Sequence, residues 1–329
     1  MNRFPYFSRK YSMSSCVSSF LDNRLISCFG SRIILTNDAY GHVKMFYDYV
    51  NTMMEPVFDD RSLIFYSDSG PILLLSDLHL GFEEELSKQK GVAFPPQQDK
   101  MIERIQSLIE KYEIARLYII GDVKHTITVD TPFNWRLVPE FMTAVSETCE
   151  VHVIPGNHDG NLRPLLPRNI VLEDVHGVLI NSKLTMGLAH GHAWVSSEVL
   201  KAEMIVIGHN HPTVRNVRAA SAPEIGREDR KRFGASIPVV LQSKLDKNCA
   251  RTWMNLEVIP DDSHATLVTL PSFNELFSGV PVNSPSSTFH GPFFENDCVD
   301  FLNSEVYSTS GQFINTVIEL RQRFNEIIK

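Results

Sequence analysis

The chain has no long apolar run. Its longest strand-like stretches, such as Pro71 to Leu75 and Leu117 to Ile120, fall far short of the roughly 18 residues that a membrane-crossing helix needs. No membrane span is expected. Cysteine is scarce: Cys16, Cys28, Cys149, Cys249 and Cys298 are widely spaced and form no CxxC pair. An odd, scattered set indicates neither a disulfide framework nor a thiolate metal site, and a reducing cytoplasm is the expected compartment. Positive charge is not in excess, since 31 Lys and Arg stand against 39 Asp and Glu for a formal net charge of −8. That balance argues against coating nucleic acid by bulk electrostatics, so any polyanion must be met locally. Internal repeats and a Walker A stretch are also lacking, and an ATP-driven motor would have to be a separate subunit.

What is present is ordinary globular composition, 43% hydrophobic and 21% charged over 329 residues. At about 150 residues per domain this allows two domains or one large α/β unit. Residues 1–21 carry Arg3, Arg9, Lys10, six serines and no acid, a bias shared with organellar transit peptides. The preferred reading is a start at Met13, Met45 or Met53, with residues 1–44 a disordered or wrongly included extension. The main domain is expected over residues 45–275, with a loop and hairpin over 276–329 packing on it.

Regular patterning begins at residue 62. "PILLLSDLHLG" (71–81), "ARLYIIGDVKH" (115–125), "VHVIPGNHDG" (151–160), "LTMGLAHGHAW" (184–194) and "EMIVIGHNHP" (203–212) each couple a short apolar run to Gly and metal-binding residue types. Apolar runs without alternation suit strands buried on both faces. Between them, Met101, Ile102, Ile105, Leu108, Ile109 and Tyr112 share one helical face, and Phe141, Met142, Val145 and Cys149 share another after Pro139. Strands alternating with helices predict a largely parallel sheet whose ligands gather at the carboxyl ends of the strands. "IPVVLQSKL" (237–245), "WMNLEVI" (253–259) and "HATLVTL" (264–270) read as strands of a second sheet, and 304–320 as a hairpin. Residues 215–251 are locally basic, densest at "GREDRKR" (226–232), but are read first as a solvated face.

The strand endings would gather Asp77, His79, Asp122, Asn157, His190, His209 and His211 at one sheet edge. Mixed nitrogen and oxygen donors without sulfur suit Mn²⁺, Fe, Zn²⁺ or Ni²⁺. Seven such ligands are too many for one catalytic ion and about right for two that share a carboxylate. Two divalent ions beside two aspartates leave a site near +2, which attracts phosphate esters. The turn after Asn157 aims His158 at the substrate, to stabilise charge or protonate the leaving oxygen, and Asp159 is expected to orient that imidazole.

"SDLHLG", "GDVKH", "GNHD", "AHGH" and "GHNH", in this order over about 140 residues, resemble the signature of the calcineurin-like metallophosphoesterase superfamily. They look most like archaeal phosphoesterases related to DNA-repair nuclease subunits and bacterial phosphoesterases associated with DNA ligases. The resemblance implies a four-layer α-β-β-α sandwich of two mixed sheets flanked by helices. By motif it assigns Asp77, His79, Asp122 and His211 to one metal, and Asp122, Asn157, His190 and His209 to the other. Where the second motif often ends in Asp, this chain has Lys124 and His125, so His125 is expected to contact substrate or His158. His192 is placed outside the ligand set or against phosphate. The implied activity is phosphodiester hydrolysis, as a nuclease or nucleotide phosphodiesterase, with two ions, manganese first. The alternatives are a phosphomonoesterase and a non-catalytic scaffold. DNA or a nucleotide is the implied substrate, and a DNA-processing ATPase or ligase the implied partner.

Overall fold

The computed structural model describes residues 26–28, 31–37, 43–47, 56–127, 132–215 and 236–328. The chain forms two compact units, Met1–Met54 and Glu55–Lys329. In the first, β1 (Ile26–Cys28), β2 (Ser31–Asn37) and β3 (Val43–Tyr47) make an antiparallel sheet in that order. The extension expected over residues 1–44 thus holds two of these strands and the start of the third, and its first 25 residues lie outside the described residues.

The second unit is built on two mixed sheets. One runs β4 (Val57–Asp59), β5 (Ser62–Ser67), β6 (Gly70–Leu75), β7 (Arg116–Ile120), β8 (Glu150–Ile154) and β9 (Val171–Leu172). It is antiparallel from β4 to β6 and parallel from β6 to β9. The other contains β10 (Val178–Ile180), β11 (Met186–Leu188), β12 (Met204–Ile207), β13 (Pro212–Arg215), β14 (Ser236–Asp246), β15 (His264–Thr269) and β16 (Val280–Pro281). Their order in space is β10-β11-β12-β15-β14-β13-β16, and β17 (Glu305–Ser308) pairs with both β14 and β18 (Phe313–Thr316).

Side-chain alternation explains the layers. In β6, Ile72 and Leu74 point between the sheets, where they meet Leu188, Val206, Val240 and Val268. Leu73 and Leu75 point outward onto Ile105, Leu108, Phe141 and Met142 of the helices Gln98–Tyr112 and Pro132–Ser146. A strand apolar on both faces belongs between two layers. On the far face of the second sheet, Ile205, Ile207, Leu245 and Leu267 pack against Val199, Leu200, Phe293 and Ala250 of the helix Lys247–Trp253. The expected α-β-β-α sandwich is the observed fold.

Several local expectations need correction. Residues 253–259 form no strand: they leave the helix end as an exposed loop, with Trp253 and Val258 58% and 48% exposed. The helix expected after Pro139 begins at Pro132 and contains Pro139, and the hairpin ends at Thr316 in a helix, Val317–Ile328. The basic run 226–232 lies outside the described residues. Cys249 and Cys298, expected unpaired, are disulfide-bonded with Cα atoms 5.3 Å apart. They stand 49 positions apart in sequence, so spacing gave no cue. No helix among the described residues is long and apolar enough to cross a membrane.

Candidate metal centre

The carboxyl ends of β6, β7, β8, β11 and β12 carry the polar endings, and their local backbone is unusual. Asp77, His79, Asp122, His209 and His211 all have positive φ, between 42° and 67°. Side chains other than glycine seldom adopt this left-handed region, although Asn, Asp and His enter it more readily, and such strain clusters at functional sites. Here it turns each side chain off its strand end toward one point. Close approach also requires glycine: a Cβ at Gly121 would fall on the His190 ring, and one at Gly208 on Ser76 and Asp77.

Two ligand clusters flank Asp122, and His79, His125 and His158 form a third group whose donor atoms also lie within 4.8 Å of one another. The donor atoms of Asp77, His79 and His211 lie within 4.8 Å of one another, and so do those of Asp122, His190 and His209. Asp122 faces both, with Oδ2 3.4 Å from His190 Nε2 and 3.7 Å from His79 Nε2. Asn157 Oδ1 is 3.3 Å from His190 Nε2. Donors around an ion with bonds of about 2.1 Å sit roughly 3.0 to 3.4 Å apart in octahedral or tetrahedral geometry. His211 Nε2 lies 2.8 Å from Asp77 Oδ1 without hydrogen-bond alignment, and His79 Nε2 is likewise buried with no hydrogen-bond partner. Buried lone pairs that converge without protons between them fit divalent ions.

The supporting contacts fix these side chains. The His209 N–H donates to Asp77 (3.2 Å), and the His158 N–H to Asp122 Oδ1 (2.9 Å). His190 Nδ1 donates to the Ile120 carbonyl (3.0 Å), which leaves Nε2 for the site. Ser272 Oγ donates to the Asp77 carbonyl (2.7 Å) and Asn274 Nδ2 to the Leu78 carbonyl (2.9 Å), while the Phe277 ring stacks on His79 at 3.9 Å. Sequence reasoning assigned no role to Ser272, Asn274 or Phe277. Their only signal was the stretch "LPSFNELFSG" (270–279), which lent the family resemblance weaker support without marking any of the three.

Electrostatics point the same way. Burial alone would raise the Asp77 and Asp122 carboxyls, but the surrounding histidines outweigh it and hold both below the usual carboxylate range. Burial pushes His79 down to about 3 and His192 and His209 down to about 4, so these rings are neutral, the form that binds metal. His190 is the exception: Asp122 and Asp77 overcome its burial and raise it to about 9. To offer Nε2 to an ion, His190 would have to give up that proton.

The remaining predicted residues divide. His158 lies against His79, with ring centroids 4.9 Å apart, and its Nδ1 donates to the His125 carbonyl at 2.5 Å. The His192 ring is 5.2 Å from that of His190. Asp159 does not orient His158. Its buried carboxylate accepts from the N–H groups of Gly156 (2.8 Å), Val123 (3.0 Å) and Lys124 (3.3 Å), tying the β7 and β8 loops together. The Asp159 side chain turns inward because those amides have no strand partner, and the His125 carbonyl does the orienting instead.

Residues 70–233 match the family model described as calcineurin-like phosphoesterase, and the chain belongs to the calcineurin-like metallophosphoesterase superfamily. Membership makes it a metal-dependent phosphoesterase, a hydrolase. Among solved structures, the crystal structure of Pseudomonas putida nuclease MPE aligns with 86% of this chain and 100% of its own, at 17% identity and a TM-score of 0.45. The protein of unknown function AQ665 from Aquifex aeolicus aligns with 59% and 94%, at 14% identity and a TM-score of 0.29. At such scores neither bears on activity, and the fold described above rests on this chain's own elements. No curated protein matches the chain.

Proposed function

We propose that this chain hydrolyses phosphodiester bonds in a nucleic acid or nucleotide, with two divalent ions held by Asp77, His79, Asp122 and His211, and by Asp122, Asn157, His190 and His209. The observation that carries this reading is the Asp122 carboxylate, whose Oδ2 faces a histidine of each cluster at 3.4 and 3.7 Å. When bound, such ions supply Lewis acidity toward phosphoryl oxygens and water made acidic enough to react near neutral pH. Manganese is the proposed ion, since carboxylate, amide and imidazole donors suit it.

The chain's own residues do the rest. The His125 carbonyl accepts a hydrogen bond from His158 Nδ1, so His158 Nε2 faces the site, 3.9 Å from Asp122 Oδ2. There it can hold a proton for the leaving oxygen, a contribution of typically ~10² to 10⁴ in rate. His192, beside His190, is placed to meet a phosphate oxygen. Phe277 and Phe82, with rings 4.8 Å apart, form an aromatic wall next to His79. An apolar wall suits the second organic substituent of a diester better than the bare oxygens of a monoester.

The test is hydrolysis of a chromogenic phosphodiester beside its monoester by metal-stripped protein reloaded with Mn²⁺, Ni²⁺, Zn²⁺ or Mg²⁺. Diester turnover that needs metal and falls at least about 100-fold in His158→Ala is expected. Preference for the monoester would make the chain a phosphatase, and silence with every ion would favour a scaffold.

A further inference from the structure

The helix Phe82–Lys90 brings a carboxylate to the edge of the site that none of the sequence motifs contains. Glu85 Oε2 lies 2.9 Å from His125 Nε2. On the other side of the same ring, His125 Nδ1 is 3.4 Å from His79 Nδ1, and the two rings meet edge to face. His79 Nε2, the atom beyond, is buried, lacks a hydrogen-bond partner and faces Asp122.

Proton counting fixes the direction of this chain. An ionised carboxylate only accepts, so His125 Nε2 carries the hydrogen shared with Glu85. In the neutral ring His125 Nδ1 is then an acceptor, and its hydrogen bond to His79 requires the proton on His79 Nδ1. That leaves the lone pair of His79 on Nε2, inside the first ligand cluster. We propose that Glu85 and His125 form a relay that sets the tautomer and orientation of His79 as a metal ligand, making Glu85 a positioning residue of the metal centre.

Metal-bound histidines usually donate their second ring N–H to a carboxylate, a carbonyl or water, and loss of that partner typically weakens metal binding about 10- to 100-fold. Here an imidazole takes that place and a half-exposed carboxylate stands behind it. The aromatic surroundings favour the arrangement: Phe277 stacks on His79, and Phe82 packs edge-on to His125 at 4.9 Å. The His125 backbone is held separately, its N–H donating to the Leu80 carbonyl (3.0 Å). Removing the His125 side chain should therefore spare the carbonyl that orients His158. A simple surface pair between Glu85 and His125 would contribute little to stability and nothing to metal affinity.

The proposal rests on the two-ion reading above, and metal affinity tests the two separately. Mn²⁺ binding would be measured by competition with a chromogenic chelator for the wild type and for Glu85→Ala, Glu85→Gln and His125→Ala. Glu84→Ala is the control, since Glu84 pairs with Lys88 on the exposed helix face. About tenfold or greater weakening at one of two ions is expected in Glu85→Ala and His125→Ala. Glu85→Gln, whose amide oxygen still accepts from Nε2–H, should recover most of the loss, and Glu84→Ala should match the wild type. The double variant Glu85→Ala/His125→Ala should be no weaker than His125→Ala alone, because both act through one chain of contacts. Two ions bound by the wild type with affinities unchanged in Glu85→Ala and His125→Ala would overturn the relay and leave the two-ion site standing. A wild type that binds no ion would overturn both.

Discussion

At the residue scale, the site depends on backbone that few side chains tolerate. Asp77, His79, Asp122, His209 and His211 all sit at positive φ, and hydrogen bonds to Asp77 and Asp122 from neighbouring amides hold the turns in place. Asp159 performs that structural task most directly, because three backbone amides converge on its carboxylate. Asp159→Ala should therefore lower stability by at least about 2 kcal/mol, since it strands buried donors. Urea unfolding of the metal-free protein checks this. An unchanged midpoint accompanied by lost activity alone would return Asp159 to the role of His158 partner. The ligand types were legible in the sequence because each stood at a strand end in a short motif. The orienting carbonyl of His125 was not, since main-chain acceptors leave no mark in residue identity.

At the element scale, the helix Lys247–Trp253 shows how a charged group becomes part of the packing. Lys247 and Arg251 are nearly fully buried and converge on Asp262, with the Arg251 contact at 2.5 Å. Burial alone would raise the Asp262 carboxyl, but its hydrogen bonds to Lys247 and Arg251 outweigh that and lower it. A depressed carboxyl contributes stability above its unfolded value of about 3.9, and that stability is lost as pH falls through the lower folded value. Acid melting should accordingly lose its steepest increment below pH ~4, and Asp262→Asn should flatten that limb while lowering the melting temperature at neutral pH. Identical acid limbs in variant and wild type would contradict the assignment. The sequence misread this neighbourhood. Trp253, Leu256, Val258 and Ile259 have the composition of a buried strand, yet all four are more than a third exposed. Asp246 caps the preceding helix by accepting from the N–H groups of Asn248 and Cys249, which ends the strand at that point. Apolar composition alone cannot distinguish a strand from a loop held on the surface by its neighbours.

At the scale of the whole molecule, the two sheets place five strand ends from separate parts of the chain at one edge. Asp77, Asp122 and Asn157 come from the first sheet, and His190, His209 and His211 from the second. The apolar runs ending in polar turns were legible as buried strands, but they pointed to one largely parallel sheet carrying all five endings. The four layers were implied by the family resemblance, and the structure divides the endings between two mixed sheets. The long-range closures were not legible. Ser272 and Asn274 clamp the Asp77 loop across more than 190 residues, and Cys249 reaches Cys298 across 49. Such contacts depend on the assembled layers. Both sheets contribute to the one proposed centre, in which two ions would share Asp122. The most direct measurement is metal stoichiometry by elemental analysis of Mn²⁺-reloaded protein, wild type beside Asp122→Asn and Asn157→Ala. Two ions per chain are expected in the wild type, one in Asn157→Ala, and weakened retention of both in Asp122→Asn. A single ion in the wild type, or Asp122→Asn keeping both as tightly as the wild type, would contradict the proposed centre.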